Sequence, residues 1–408
     1  MKSSRRSFLK AGLALPAVLK ASPSLASGSK TPETTVSKDS SFDPWVEIHR
    51  DNLRHNVQEI SRRAASRPIL AVIKNNGYGM GAKNVAQLLE PHTEIFGFAL
   101  VKLHEAISLR DAGVRKPILL MGPFDEHNLV DAVARGIMPM VYTPRGPALD
   151  KIAAKTQKPV ALHICIDAGI GRVGVPCRDA PPLIRDLAAR KSVSIQGTMM
   201  TFTEDPDFDK EQLRRFHETC ASLEKEGIAL GNRHAASSFA LFQHPEAFLD
   251  MVRPGMALYG IYSENEFRHT AIMDLRPAIS LQARVIYVKK LRKGDSAGYN
   301  RAYMAKDDVW IATLPVGHAD GWPRAAALAH EKGAKVRING DLYPVIASVS
   351  ASHCIVEVGT EERVKIGDIA TFFDWQPGSR PEDVSESCGA SVYDLTMHLN
   401  PLLPRRIV

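Results

Sequence analysis

Cysteine is scarce and scattered in this 408-residue chain: Cys165, Cys177, Cys220, Cys354 and Cys388 form an odd set with no short metal-ligand spacing. That argues against a zinc site and against a disulfide framework, and it leaves thiols suited to core positions. A strong charge is missing as well. The formal net charge is +7, but residues 1–26 hold Lys2, Arg5, Arg6, Lys10 and Lys20 and no acid, which leaves 7 − 5 = +2 for the rest. So small a surplus gives no reason to expect nucleic acid as a partner. Internal repeats and long low-complexity tracts are absent. The apolar stretch near the N-terminus is broken by Pro16 and Lys20 and is too short to span a bilayer.

What the N-terminus does contain is a basic start, a short apolar stretch and the small-residue end Ser24-Leu25-Ala26, the pattern of a secretory signal over 1–26. Arg5-Arg6 followed by Phe8-Leu9-Lys10 resembles the twin-arginine export signal, which carries folded proteins across a bacterial inner membrane. That implies a periplasmic or other extracytoplasmic location. With no cysteine after the apolar stretch, a lipid anchor is not expected. Residues 27–44 are polar and aperiodic and read as a disordered leader.

From Trp45 onward, apolar runs alternate with amphipathic stretches. "ILAVIKN", "IFGFAL", "PILLMG", "IMPMVY", "VALHICID", "IQGTMMTF", "NRHAASS" and "VRPGMALYG" read as strands, with helical patterns such as "FDKEQLRRFHETCASLEKEG" between them. Near-continuous apolar strands alternating with helices indicate a parallel sheet covered by helices. Eight such units predict a closed (β/α)8 TIM barrel over 45–270, with an open doubly wound sheet as the alternative. Beyond about residue 275 the texture changes to short strands separated by glycine turns, an all-β domain over 271–408. "PWVEIHRDNL" is a candidate neighbour of that domain in space.

One stretch of the first unit asks for a chemical explanation. "AVIKNNGYGMGA", residues 71–82, places Lys74 at the carboxyl end of a strand and follows it with Gly77, Gly79 and Gly81. In a barrel that end carries the active site. Closely spaced glycines let backbone approach a ligand, as phosphate sites require. A lysine amine beside a phosphate shell is the arrangement that forms a Schiff base with pyridoxal 5'-phosphate.

The segment resembles the cofactor-lysine signature of the alanine racemase family, usually A-V-x-K-A-N-A-Y-G-H-G. The resemblance runs from "PWVEIHRDNLRHN" to "VYDLTMHLNPLLPR" and recurs in order at "GIGRVG", "HAASS", "MVRPGMALYG", "AGYNRAY" and "PVGHADG". It implies a pyridoxal-phosphate-dependent amino-acid racemase, alanine being the default substrate, assembled as a head-to-tail homodimer. By the same resemblance Lys74 holds the cofactor and serves as one acid–base group. Tyr299 would be the other, reaching the partner subunit's cofactor from the opposite face. Arg253 would face the pyridine nitrogen. Tyr78, Ser238, Tyr393 and the backbone at Gly255 and Met256 would cradle the phosphate. Arg172 would meet the cofactor's phenolic oxygen and the substrate carboxylate. The chemistry accounts for these types, because racemisation removes a proton from one face of Cα and returns it on the other. A tyrosine with an ordinary pKa near 10 needs roughly 4 kcal/mol of differential stabilisation to act at neutral pH.

Four departures from the family pattern cluster near the substrate. Cys165 replaces a lysine that is often carbamylated, and Thr201 replaces a histidine. Ala351-Ser352 stands where a Met-Asp pair meets the substrate, and His318 replaces a tyrosine at the entrance. Arg172, His318 and Ser352 are thus the expected substrate contacts, in a pocket expected to be roomier. Two other readings stay open at this stage: an amino-acid decarboxylase of related architecture, and a pyridoxal-phosphate-binding protein weakened in turnover. No metal is expected.

Overall fold

The computed structural model describes residues 42–327 and 333–408; the export signal and most of the polar leader lie outside the described residues. The barrel strands are Ile69–Val72, Ile95–Leu100, Ile118–Leu120, Ile137–Val141, Val160–Asp167, Val193–Met199 and Asn232–His234. They pair in parallel in that order. The eighth is short: Val252 bridges Ile69 in parallel, and Arg253 N–H donates to Ala236 O at 2.8 Å. Leu70 N–H and Val72 N–H donate to Val252 O and Pro254 O, each at 2.9 Å, so the sheet closes on itself. A closed parallel barrel, not the open doubly wound sheet, is what these runs form. Both faces of its strands are covered, which is why Ile69, Leu70, Ala71, Leu119 and Ile164 are all fully buried.

Helices Ala82–Leu89, Leu103–Asp111 and Pro206–Lys225 lie in the stretches whose apolar spacing predicts them. The longest begins at Asp205, whose side chain accepts from the N–H groups of Asp207 and Phe208, and Pro206 occupies a first-turn position that needs no donor. Of the five cysteines, all free, Cys177 is half-buried and the others are buried.

The remaining strands form a mostly antiparallel sheet. "ISLQARVIYVKKL", which reads as one strand, is two, Ile279–Arg284 and Tyr287–Leu291. The first pairs with Ile369–Phe373 and the second with Val309–Leu314, so the chain leaves one part of the sheet at Val285-Ile286 to serve another. Trp45–Ile48 pairs antiparallel with Ile279–Arg284 and parallel with Arg405–Ile407, tying the start of the described chain to its end. Two short helices, Pro381–Cys388 and Val392–Met397, interrupt the β texture. Among the described residues no helix is long and apolar enough to cross a membrane.

Candidate active site

A cavity of about 670 Å³ opens at the carboxyl ends of the barrel strands. Lys74, Cys165, Thr201, Ser238 and Arg253 reach it from five different strand ends, and Tyr393 arrives from helix Val392–Met397. This is the barrel face on which side chains from separate strands converge. A larger and shallower groove of about 760 Å³ lies beside the same turn, lined by Asn76, Lys83, His104 and Arg405. Lys74 does not line it.

The turn after the first strand is strained. Asn75, Asn76, Gly77 and Tyr78 all have left-handed φ, at 53°, 56°, 60° and 52°. Each non-glycine residue there costs about 1–2 kcal/mol, less for asparagine than for tyrosine. Anchors on every side hold the conformation. Asn76 N–H donates to Glu105 Oε1 at 2.6 Å, and Gly79 O accepts from Arg405 Nε at 3.1 Å and Nη2 at 2.9 Å. Gly79 has φ 93°, and a Cβ there would run into the carbonyl of Thr396. The outcome is that Tyr78 is buried against Tyr259, ring centroids 4.8 Å apart.

Tyr78, Tyr393 and Ser238 surround one end of the cavity. Ser238 Oγ accepts the N–H groups of Gly255 at 2.9 Å and Ala257 at 3.1 Å, which fixes the loop after the eighth strand. A side chain at Gly255 would strike the Tyr78 hydroxyl. Burial pushes both phenols up, Tyr393 to about 12, so both remain protonated donors at neutral pH. Hydroxyl donors and a glycine-lined floor suit an anion such as a phosphate.

Arg253 is almost fully buried, and no carboxylate among the described residues pairs with it. Its Nη1 lies 2.9 Å from His234 Nδ1, and His234 Nε2 lies 2.9 Å from His163 Nδ1. Arginine only donates, so the proton order along this chain is determined. His234 Nδ1 accepts from Arg253, His234 Nε2–H donates, and His163 Nδ1 accepts. Both imidazoles must be neutral. Burial, followed by Arg253, lowers the pKa of each, His163 to about 4. Arg253 Nη2 donates to Met200 O at 3.0 Å and Thr201 Oγ1 at 3.3 Å. Burial brings the guanidinium down to about 10, so it stays charged at neutral pH.

Lys74 lies in the field of two cations. Burial lowers its amine pKa first, then Arg172 and Arg253. Arg172 is exposed on a loop pinned by Asp167 Oδ1, which accepts from Gly169 N–H at 2.8 Å and Gly171 N–H at 3.2 Å. Arg172 makes no hydrogen bond or ion pair to another described residue. Cys165, two residues before Asp167, is pushed up to about 11 by burial. It is a neutral thiol, with Sγ 3.7 Å from Val173 O, so it touches the backbone of the Arg172 loop and not the guanidinium.

Lys74, Tyr78, Arg172, Ser238, Arg253, Gly255, Met256 and Tyr393 therefore line one cavity. Tyr299, His318 and Ser352 do not line it. All three are exposed on loops of the β domain, Tyr299 at 72%. The loops neighbour one another: His318 N–H and Ala319 N–H donate to Ser350 O and Ala351 O at 3.0 Å each, and Gly298 abuts Ala347. No sequence motif gives a role to His234, His163 or Glu204. His234 stands in the quoted "HAASS" run, and a polar residue on the inward face of a barrel strand was the available signal. Glu204, the only carboxylate among the described residues lining the cavity, sits in a polar loop that offered none.

Family models of the alanine racemase N-terminal domain and C-terminal domain match residues 48–263 and 278–407. The chain is 34% identical over 372 residues to the alanine racemase of Desulforamulus reducens, covering 88% of this chain and 98% of that one. It is 31% identical over 369 residues to the alanine racemase of Clostridium tetani, with coverages of 88% and 94%. Among solved structures, an alanine racemase from a D-cycloserine-producing Streptomyces lavendulae superposes with TM-score 0.82 at 27% identity, covering 90% of this chain and 98% of that one. The biosynthetic alanine racemase of Pseudomonas aeruginosa gives 0.77 at 26%, with coverages of 90% and 100%.

Proposed function

Because this chain belongs to the alanine racemase family, we propose that it is a pyridoxal-phosphate-dependent racemase that interconverts the L and D forms of an amino acid, alanine first among them. Members of the family use pyridoxal 5'-phosphate. The cavity suits it: a lysine amine, a buried guanidinium and an end built of hydroxyls and glycine match an aldehyde, a pyridine nitrogen and a phosphate. That single convergence carries the reading. The Met256 backbone belongs to the same cradle. When bound, the cofactor supplies the electron sink that acidifies the substrate Cα–H.

The residues then divide the work. Lys74, its pKa lowered, is poised to take or return the Cα proton on one face. Arg253, charged at neutral pH, would hold the ring nitrogen of the bound group and would not give up a proton to it, a setting that would favour racemisation over transamination. The His234–His163 chain holds that guanidinium in place. Arg172, unpaired and exposed, is available for bidentate capture of the substrate carboxylate.

Racemisation needs a second base, on the opposite face of Cα. We assign it to Tyr299 of a second copy in a head-to-tail homodimer, with His318 and Ser352 arriving on adjacent loops. The 72% exposure of Tyr299 in the single chain supports this. Export as a folded protein through the twin-arginine signal completes the proposal, since the cofactor is then acquired before crossing. The test is direct. The protein supplied with pyridoxal phosphate should exchange the Cα hydrogen of alanine for solvent deuterium and yield both enantiomers. Lys74→Ala should do neither while melting as wild type does. Carbon dioxide release would favour a decarboxylase, and a loaded protein with no Cα exchange would defeat the racemase reading.

A further inference from the structure

The cavity wall carries a charge that racemising alanine does not need. Glu204 lines it, and no hydrogen bond or ion pair to another described residue engages its carboxylate. The residue is not loosely placed. Its backbone has φ 68°, and its N–H donates to Oδ1 of the fully buried Asp209 at 3.1 Å. Asp209 is held in turn by His244 Nε2 at 3.1 Å, and Thr203 N–H is fixed to Gln212 Oε1 at 2.8 Å. Such anchoring fixes the strained backbone of Glu204 on the wall, while its exposed side chain keeps its carboxylate free to meet a ligand.

Three cations share the cavity: Lys74, Arg253 and Arg172. On the racemase reading the first two would serve the cofactor and the third would receive an α-carboxylate. Arg172 and Glu204 sense each other's charge without forming an ion pair. Partial enclosure, then Glu264 and Asp209, hold the Glu204 carboxyl above the ordinary glutamate range, so an arriving cation would favour its charged form. Its charge also reaches Tyr393, on the cradle side. Alanine ends in a methyl group and offers nothing to such a carboxylate. A free amino acid with a basic side chain offers a carboxylate at one end and a cation at the other.

We propose that Glu204 is a specificity determinant of this cavity, receiving the cationic end of a basic amino acid such as lysine, ornithine or arginine whose α-carboxylate lies on Arg172. The assignment rests on the racemase reading and narrows its substrate class. Apolar wall residues Ile170 and Val173 border the same space and suit the methylene stem of such a side chain.

The experiment compares kcat/KM for lysine and alanine in the pyridoxal-phosphate-loaded wild type, Glu204→Gln, Glu204→Asp and Glu204→Lys, with melting curves and cofactor absorbance as folding controls. The expected result is a fall of about tenfold in the lysine-to-alanine ratio in Glu204→Gln, carried mainly by KM. Glu204→Asp should recover part of it, and Glu204→Lys should turn preference toward glutamate. Lysine turnover by wild type should weaken with added salt, and that dependence should flatten in Glu204→Gln. An unchanged ratio and salt dependence in a folded Glu204→Gln would overturn the assignment and leave the racemase reading intact. Absence of Cα exchange with every amino acid in loaded wild type would overturn both.

Discussion

The neutral chain Arg253–His234–His163 makes stability depend on pH in a way that can be worked out beforehand. His163 ionises near 6.5 when free and at about 4 in the fold. Above 6.5 it is neutral in both folded and unfolded protein, so its contribution is complete. As pH falls below 6.5 the unfolded chain takes up a proton that the folded chain refuses, and stability drops. Below about 4 both forms are protonated and the decline from this residue ends. By linkage, the loss between pH 7.5 and 4.5 is about 2–3 kcal/mol from His163 alone. His234 shifts in the same direction. The assay is urea unfolding at fixed salt and protein concentration, at pH 7.5, 6.5, 5.5 and 4.5, on wild type and His163→Asn. The variant should be less stable at pH 7.5 by about 1–3 kcal/mol, because His234 Nε2–H loses its acceptor or keeps a poorer one. Its curve should be shallower, and the gap should close by about 2–3 kcal/mol at pH 4.5. Parallel curves would mean that His163 ionises normally inside the fold, and the proton order deduced from Arg253 would be wrong.

Three further outcomes are expected. Mixing inactive Lys74→Ala with inactive Tyr299→Phe should restore part of the racemase activity, because one site of a mixed dimer keeps both bases; no recovery after verified subunit exchange would count against a shared site. Gly255→Ala should weaken retention of pyridoxal phosphate in dialysis by about tenfold or more, since its methyl group meets the Tyr78 hydroxyl in the cradle, and full retention would discount that contact. Replacing Arg5 and Arg6 together by lysine should leave the protein inside the cell, measured by fractionation, and undiminished periplasmic delivery would remove the twin-arginine proposal.

Much of the architecture follows from patterns that operate over a few residues. A strand buried on both faces must be apolar along its length, so runs such as "ILAVIKN" and "VALHICID" announce the barrel without any partner being known. Turn chemistry is equally local: Asn75, Asn76 and Gly77 are residue types that tolerate left-handed backbone, and the lysine beside them draws attention to the site. Helices Pro381–Cys388 and Val392–Met397 escape that reading because each spans about two turns, too short for periodicity to show.

What only the tertiary structure decides is which distant residues share a space. The expected placement of "PWVEIHRDNL" beside the β domain holds, but its partner strand Ile279–Arg284 and its register are not legible in the sequence, and nothing in "TFTED" tells that Glu204 faces a cavity. His163 and His234 stand 71 residues apart and meet only because their strands flank Val193–Met199. At Gly197 in that middle strand, a Cβ would fall about 2.5 Å from His163 Nδ1. The physical reason is one of range. Side-chain period and backbone preference are settled between near neighbours, whereas a buried hydrogen-bond chain or a charged cavity wall exists only after the sheet has closed and set the residues of separate strands face to face.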